Sequence, residues 1–170
     1  DFELVVVKQE DEDIEPTPEP EPVEVISIED FLKKEEGFVG HVKGVVTSFA
    51  LYNSFSLEDE TGAVALRIDG VNAADESIKF SVGSELTVKV TKNTFNGLIQ
   101  ATLVEGENIL ISDDVKELHP VKELSLEDLD NEKILAFQSH RVKISNLLVK
   151  DVNTDNFGNV NMTLTSFNRD

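Results

Sequence analysis

Seven side chains in the middle of this 170-residue chain carry the chemistry to hold a ligand: Tyr52, Ser54, Ser56, Arg67, Lys89, Lys92 and Phe95. Aromatic rings beside cations are what single-stranded nucleic acid requires, because rings stack on bases while ammonium and guanidinium groups meet phosphate. The plain structural alternative is that Tyr52 and Phe95 close the ends of a β-structure and the cations are solvated strand positions. Both readings stay open on the residues alone.

Other reactive residues lead to simpler conclusions. His41, His119 and His140 are far apart and have no ligand spacing around them, so they read as surface or packing histidines. Asp151 to Gly158 offers oxygen atoms at alternate positions, like a calcium loop. Met162, however, stands where such a loop needs its closing bidentate acid, so a hairpin loop is favoured. Asp59 and Glu60 are adjacent carboxylates in a turn with no defined cleft for acid–base work. Zero cysteines exclude a disulfide framework and any thiolate metal site. No residue is therefore given a catalytic or metal-binding role, no cofactor is implied, and the chain is not read as an enzyme.

Strands must position the seven residues, and period-two alternation marks them. His41 to Phe49 is the first, with Gly44 inside it as the mark of a bulge or sharp bend. Ser54 to Glu58 points Phe55 and Leu57 to one side. Asp59-Glu60-Thr61-Gly62 turns the chain, with Gly62 available for positive φ. Ala63 to Asp69 then sends Val64, Leu66 and Ile68 inward. Val71 to Phe80 lacks alternation and reads as a short helix or an irregular crossover. Glu85 to Thr91 alternates Leu86, Val88 and Val90 with Thr87, Lys89 and Thr91. Asn96-Gly97 reverses the chain, and Leu98 to Val104 is the fifth strand, resuming at Asn108 to Ile111.

Two hairpins separated by a single crossover predict a mainly β fold, a five-stranded Greek-key OB-fold barrel. A helix leads into it, capped by Ser27, with Asp30 at the third helical position. Its apolar stripe is Ile28, Phe31 and Leu32, and Gly37 ends it. In such barrels a ligand lies across strands two and three, between the loops joining strands one to two and four to five. That places Ser54, Ser56 and Arg67 on the binding face, Tyr52 and Phe95 in the flanking loops, and Lys89 and Lys92 nearby.

Gly44-Val45-Val46, the run Phe55-Ser56-Leu57-Glu58-Asp59-Glu60-Thr61-Gly62, and Val82-Gly83 before the fourth strand resemble the OB-fold modules of bacterial secreted nucleases and surface lipoproteins. The likeness covers roughly residues 25 to 112. It implies an exported or cell-surface bacterial protein in which this region is an accessory to a catalytic domain elsewhere. Nothing in this chain matches that catalytic domain.

Composition shifts suggest the boundaries. Residues 1–8 read as a terminal strand of a preceding domain, and 9–24 as an acidic, Pro-rich linker holding Pro16, Pro18, Pro20 and Pro22. Residues 25–112 form the OB-fold domain, and 113–170 a helix plus a partial second OB-like unit. Ser125-Leu126-Glu127-Asp128-Leu129 echoes Ser27-Ile28-Glu29-Asp30-Phe31, and Val142-Lys143 echoes Val42-Lys43, which suggests an internal repeat. His140 to Val149 is its first strand and Asn161 to Ser166 its second, with a turn around Asn156 to Asn159. The chain starts at Asp1 without a Met or signal peptide, so an excised segment or processed form is expected. No apolar run reaches membrane-spanning length.

The net charge of −19 is unevenly spread. Residues 1–24 carry ten acids against one lysine, and residues 38–112 nine acids against five bases. The barrel region is mildly acidic and lacks the basic excess of a strong nucleic-acid binder. The expected function is weak single-stranded nucleic-acid binding as an accessory part of an exported bacterial protein, with a structural or protein-interaction spacer on a cell surface as the alternative.

Overall fold

The computed structural model describes residues 23–49, 53–71, 78–129 and 134–167. The expected terminal strand of residues 1–8, nearly all of the expected Pro-rich linker, Tyr52 and residues 72–77 of the expected short helix or crossover lie outside them. Strand β1 (Val25–Ile26) leads into helix α1 (Ile28–Lys33), followed by β2 (Val39–Phe49), β3 (Ser54–Glu58), β4 (Ala63–Arg67), β5 (Ser84–Phe95), β6 (Leu98–Leu103) and β7 (Leu110–Val115).

The barrel closes because β2 is long enough to pair twice. It bonds antiparallel to β5 over Val39 to Val45 and to β3 over Val45 to Phe49. β3 pairs antiparallel with β4, β4 runs parallel to β6, and β6 pairs antiparallel with β5. The ring β2–β3–β4–β6–β5–β2 is the strand order of an OB-fold, as the sequence predicts. The bulge in β2 falls at Thr47, between Val46 and Ser48, rather than at Gly44. Gly44 instead admits close approach of β3: an added Cβ would lie 2.9 Å from Leu57 Cγ and 3.0 Å from the Glu58 carbonyl oxygen.

Alternation fills the interior. Val42, Val46, Phe55, Leu57, Leu66, Leu86, Val88, Val90 and Ala101 have no solvent exposure. Each large side chain so buried stabilises the fold by about 1.5–3 kcal/mol. Phe55 and Phe80 meet edge to face at 5.0 Å. Helix α1 plugs one end with Ile28 and Phe31, both fully buried. Ser27 Oγ accepts from the Asp30 N–H at 3.1 Å, the expected N-cap.

Three expectations need correction. The helix ends at Lys33, with extended Lys34 as its C-cap, so Gly37 forms a later turn and does not stop it. Gly62 does not take positive φ, because Asp59 Oδ1 organises the turn by accepting from the N–H groups of Thr61 and Gly62. The apolar run at Leu110 belongs to β7, which pairs with β5 and does not extend β6.

The tail repeats the order found at the barrel entrance. β8 (Lys122–Leu124) runs parallel to β9 (Val142–Ile144), as β1 runs parallel to β2. Between β8 and β9 lie two short 3-10 turns, η1 (Leu126–Leu129) and η2 (Ile134–Phe137). The expected single strand from His140 to Val149 is broken at Asn146, whose φ is 58°. β10 (Leu147–Thr154) and β11 (Val160–Ser166) then form an antiparallel hairpin with a bulge at Lys150. Its paired residues Val149 and Leu164, Val152 and Met162, and Thr154 and Val160 share one face, and the five apolar members of that set are exposed.

Candidate binding face of the barrel

The face an OB-fold offers to a ligand is the outer wall of β3 and β4. Here the inward Phe55, Leu57, Val64 and Leu66 leave Ser54, Ser56 and Glu58 facing out from β3, and Ala63, Ala65 and Arg67 from β4. Cross-strand register pairs Ser54 with Arg67, Ser56 with Ala65, and Glu58 with Ala63. Parallel pairing to β6 sets Gln100 beside Ala65 and Thr102 beside Arg67. Ser54, Ser56 and Arg67 therefore sit on the wall where the sequence places them. Ser56 Oγ is engaged with Ser48 Oγ at 2.9 Å.

The predicted cations do not converge there. Arg67 Nε donates to Asp69 Oδ1 at 2.7 Å, and Asn53 Nδ2 meets the same oxygen at 3.3 Å. Lys89 lies on a different wall, across from His41 of β2, with Nζ 2.6 Å from Glu107 Oε1. Lys92 is the clear correction. It continues the inward series Leu86, Val88 and Val90, is 8% exposed, and directs its ammonium to the end of α1. There Nζ donates to the carbonyl oxygens of Leu32, at 2.6 Å, and Lys34. A cation at the negative end of a helix satisfies carbonyls that lack intrahelical partners. Phe95 lies at the end of β5, 59% exposed, beside the Asn96-Gly97 turn whose two residues both have positive φ. Tyr52 lies outside the described residues.

The wall is also not free. Glu58 is 5% exposed, Ala63 2%, Ala65 6% and Gln100 7%, although all four face away from the core. Residues from the tail reach this surface at two points. Gln138 Oε1 accepts from the Ile99 N–H at 3.1 Å and its Nε2 donates to the Gly97 carbonyl at 2.9 Å. His140 Nδ1 lies 2.8 Å from Glu58 Oε1, both side chains being nearly inaccessible. Lys122 Nζ stands 3.2 Å from the other ring nitrogen. An ammonium only donates, so Nε2 accepts and Nδ1 carries the proton given to Glu58. Sequence reasoning missed Glu58, Gln138 and His140. Alternation from Ser54 and Ser56 would have found Glu58, whereas no local signal marks the other two.

A groove of about 520 Å³ lies alongside, between the start of α1, β2, the Asp59–Glu60 turn and residues 116–119. Among the described residues, no group of three or more His, Asp or Glu side chains is placed to hold a metal ion. None of the described helices is long and apolar enough to cross a membrane.

No protein-family model matches the chain, and no curated protein sequence does. Solved structures are similar over part of the chain. The OB domain of MM0293 from Methanosarcina mazei is 18% identical, covers 58% of this chain and 94% of its own, and has a TM-score of 0.43. The telomere capping protein Ten1 from Saccharomyces pombe is 16% identical over 55% of this chain and 85% of its own, with a TM-score of 0.40. The hypothetical protein ygiW from E. coli is 12% identical over 52% and 90%, with a TM-score of 0.40.

Proposed function

We propose that this chain is an OB-fold protein-interaction module that holds polypeptide segments in a fixed arrangement. The observation that carries this is the use of every cation of the candidate site within the chain itself: Arg67 on Asp69, Lys89 on Glu107, and Lys92 on the end of α1. A phosphate backbone would have to compete with those internal acceptors on a mildly acidic surface. As part of the same proposal the module works outside the cell beside a catalytic domain, a reading supported by the resemblance of its hairpin residues to modules of exported bacterial proteins.

One observation favours weak single-stranded nucleic-acid binding as a second reading. Phe95 is an exposed ring at the end of β5, beside the loop that flanks the ligand face, where it is free to stack on a base. Amide chemical shifts of the full chain, titrated with oligo-dT at low salt, separate the two. The interaction module shows no change at Ser54, Arg67 or Phe95. Saturable shifts there that fade with added salt and on Phe95→Ala or Arg67→Ala would establish the nucleic-acid reading in its place.

A further inference from the structure

We propose that the outer wall of β3, β4 and β6 is a peptide-binding surface held closed by the chain's own residues 138–141. This rests on the reading of the barrel as a protein-interaction module and names its partner: a peptide turn with a carboxamide side chain followed, two residues on, by an imidazole, as residues 138–140 form with Ser139 at φ 60°.

The occupant seen in the structure defines that chemistry. Gln138 uses both ends of its amide on the β5–β6 turn, at Ile99 N and Gly97 O, as a peptide group would. His140 then reaches across to Glu58 on β3. By the strand register, Leu98–Ile99, Ala63–Val64 and Glu58 lie at one level, so the contacts of Gln138 and His140 fall at one level on opposite sides of β4. The wall beneath is built of small or neutral side chains, Ser56, Ala63, Ala65 and Gln100, which let a backbone lie close and offer phosphate no positive charge. Glu58 puts a buried negative charge at the covered end, and its sign selects a donor.

The strap is separable from the fold. The buried core cluster of the barrel draws on residues 28 to 101, with Leu103 and Ile109 packed against it, and takes nothing from 134–141. On its far side the strap is tied to the tail, through Arg141 Nη2 to the His119 carbonyl at 2.6 Å and Lys122 to His140. Releasing Gln138 and His140 therefore uncovers the wall and leaves the barrel interior packed. Because the strap is tethered, a competing peptide faces an effective concentration in the millimolar range.

The test uses the full chain, with a synthetic peptide of residues 134–141 as the probe. In Gln138→Ala/His140→Ala, the peptide should shift the amides of Glu58, Ala63, Ala65 and Ile99, and bind at least about tenfold more tightly than to the wild type. A peptide with both residues changed to Ala should not bind. Equal binding by wild type and variant, or none by a variant that keeps the barrel's amide pattern, overturns the proposal. So does oligo-dT shifting those amides in the released variant in place of the peptide. Oligonucleotide shifts at Arg67 and Phe95 of the wild type would instead defeat the broader interaction reading. Hydrogen exchange of the wild type needs no variant: the Ile99 amide should exchange through a local opening, faster than Leu86 or Val88. Exchange of Ile99 only by global unfolding would make the strap an integral part of the fold and end the proposal.

Discussion

Asp59 Oδ2 accepts a hydrogen bond from the Ile28 N–H at 2.8 Å, so a turn residue of the barrel caps the helix that plugs it. The other oxygen, Oδ1, accepts from the Thr61 N–H, the Thr61 hydroxyl and the Gly62 N–H at 2.6–2.9 Å. Thr61 Oγ1 in turn accepts from the Glu29 N–H at 3.0 Å. A carboxylate so placed faces the positive end of α1 and secures two elements 31 residues apart. The pair Asp59–Glu60 is thus divided in role: Asp59 is a structural acceptor and Glu60 is exposed. Asp59→Ala should cost about 2–3 kcal/mol in urea unfolding, since it leaves several N–H groups without an acceptor. Glu60→Gln should change stability by less than about 0.5 kcal/mol.

The two lysines of β5 should respond differently. Lys92→Met keeps an apolar stem in the barrel end but removes the donor to the Leu32 and Lys34 carbonyls, a loss of about 1–2 kcal/mol. Lys89→Ala removes a partly solvated pair with Glu107, whose side chains are 35% and 38% exposed, and should cost at most about 1 kcal/mol. Denaturant midpoints of the two variants against wild type decide this, and an equal loss would contradict the placement of Lys92.

Gly83 and Gly106 both have positive φ, 93° and 80°, yet differ in surroundings. A Cβ on Gly83 would lie 2.9 Å from Val115 Cγ1, while one on Gly106 meets nothing within 4 Å. Gly106→Ala should cost about 1 kcal/mol from backbone strain alone. Gly83→Ala should cost about 1–3 kcal/mol more, because β7 has to shift. Thermal unfolding of the two single variants provides the comparison.

Asp155 holds the β10–β11 turn by accepting from Asn159 Nδ2 and from the N–H groups of Phe157 and Asn159, each at 2.9 Å. These bonds, the Asn159 side chain foremost, hold its carboxyl below the usual carboxylate range. A depressed pKa means that the contribution is fully present above the unfolded value, near 3.8, and is lost as pH falls through the lower folded value. Hairpin amide signals should therefore persist at pH 4 and weaken only under stronger acid. In Asp155→Ala that acid step should be missing.

Local pattern was enough for much of this architecture. Val64 and Leu66, then Leu86, Val88 and Val90, announce strands with one buried face because side chains alternate with period two. Ser27 and Asp30 announce the helix start, and Asn96-Gly97 announces a turn that needs two residues of positive φ. The same alternation carries on to Lys92 and places it inside. Its charge suggested the outer surface, and only the nearby end of α1 explains how an ammonium is accommodated in the barrel.

Long-range chemistry was decided by the tertiary structure alone. Arg67 and Lys89 stand two and eighteen residues from the acids that neutralise them, and which acid each finds depends on strand register and loop path. His140 meets Glu58 across 82 residues, a distance over which no periodicity operates. By itself the sequence determined a closed five-stranded barrel, because alternating apolar residues have to be hidden from water. Whether the wall outside that barrel stands open or is strapped shut depends on where the tail returns, and that is set by contacts between parts of the chain that no local pattern links.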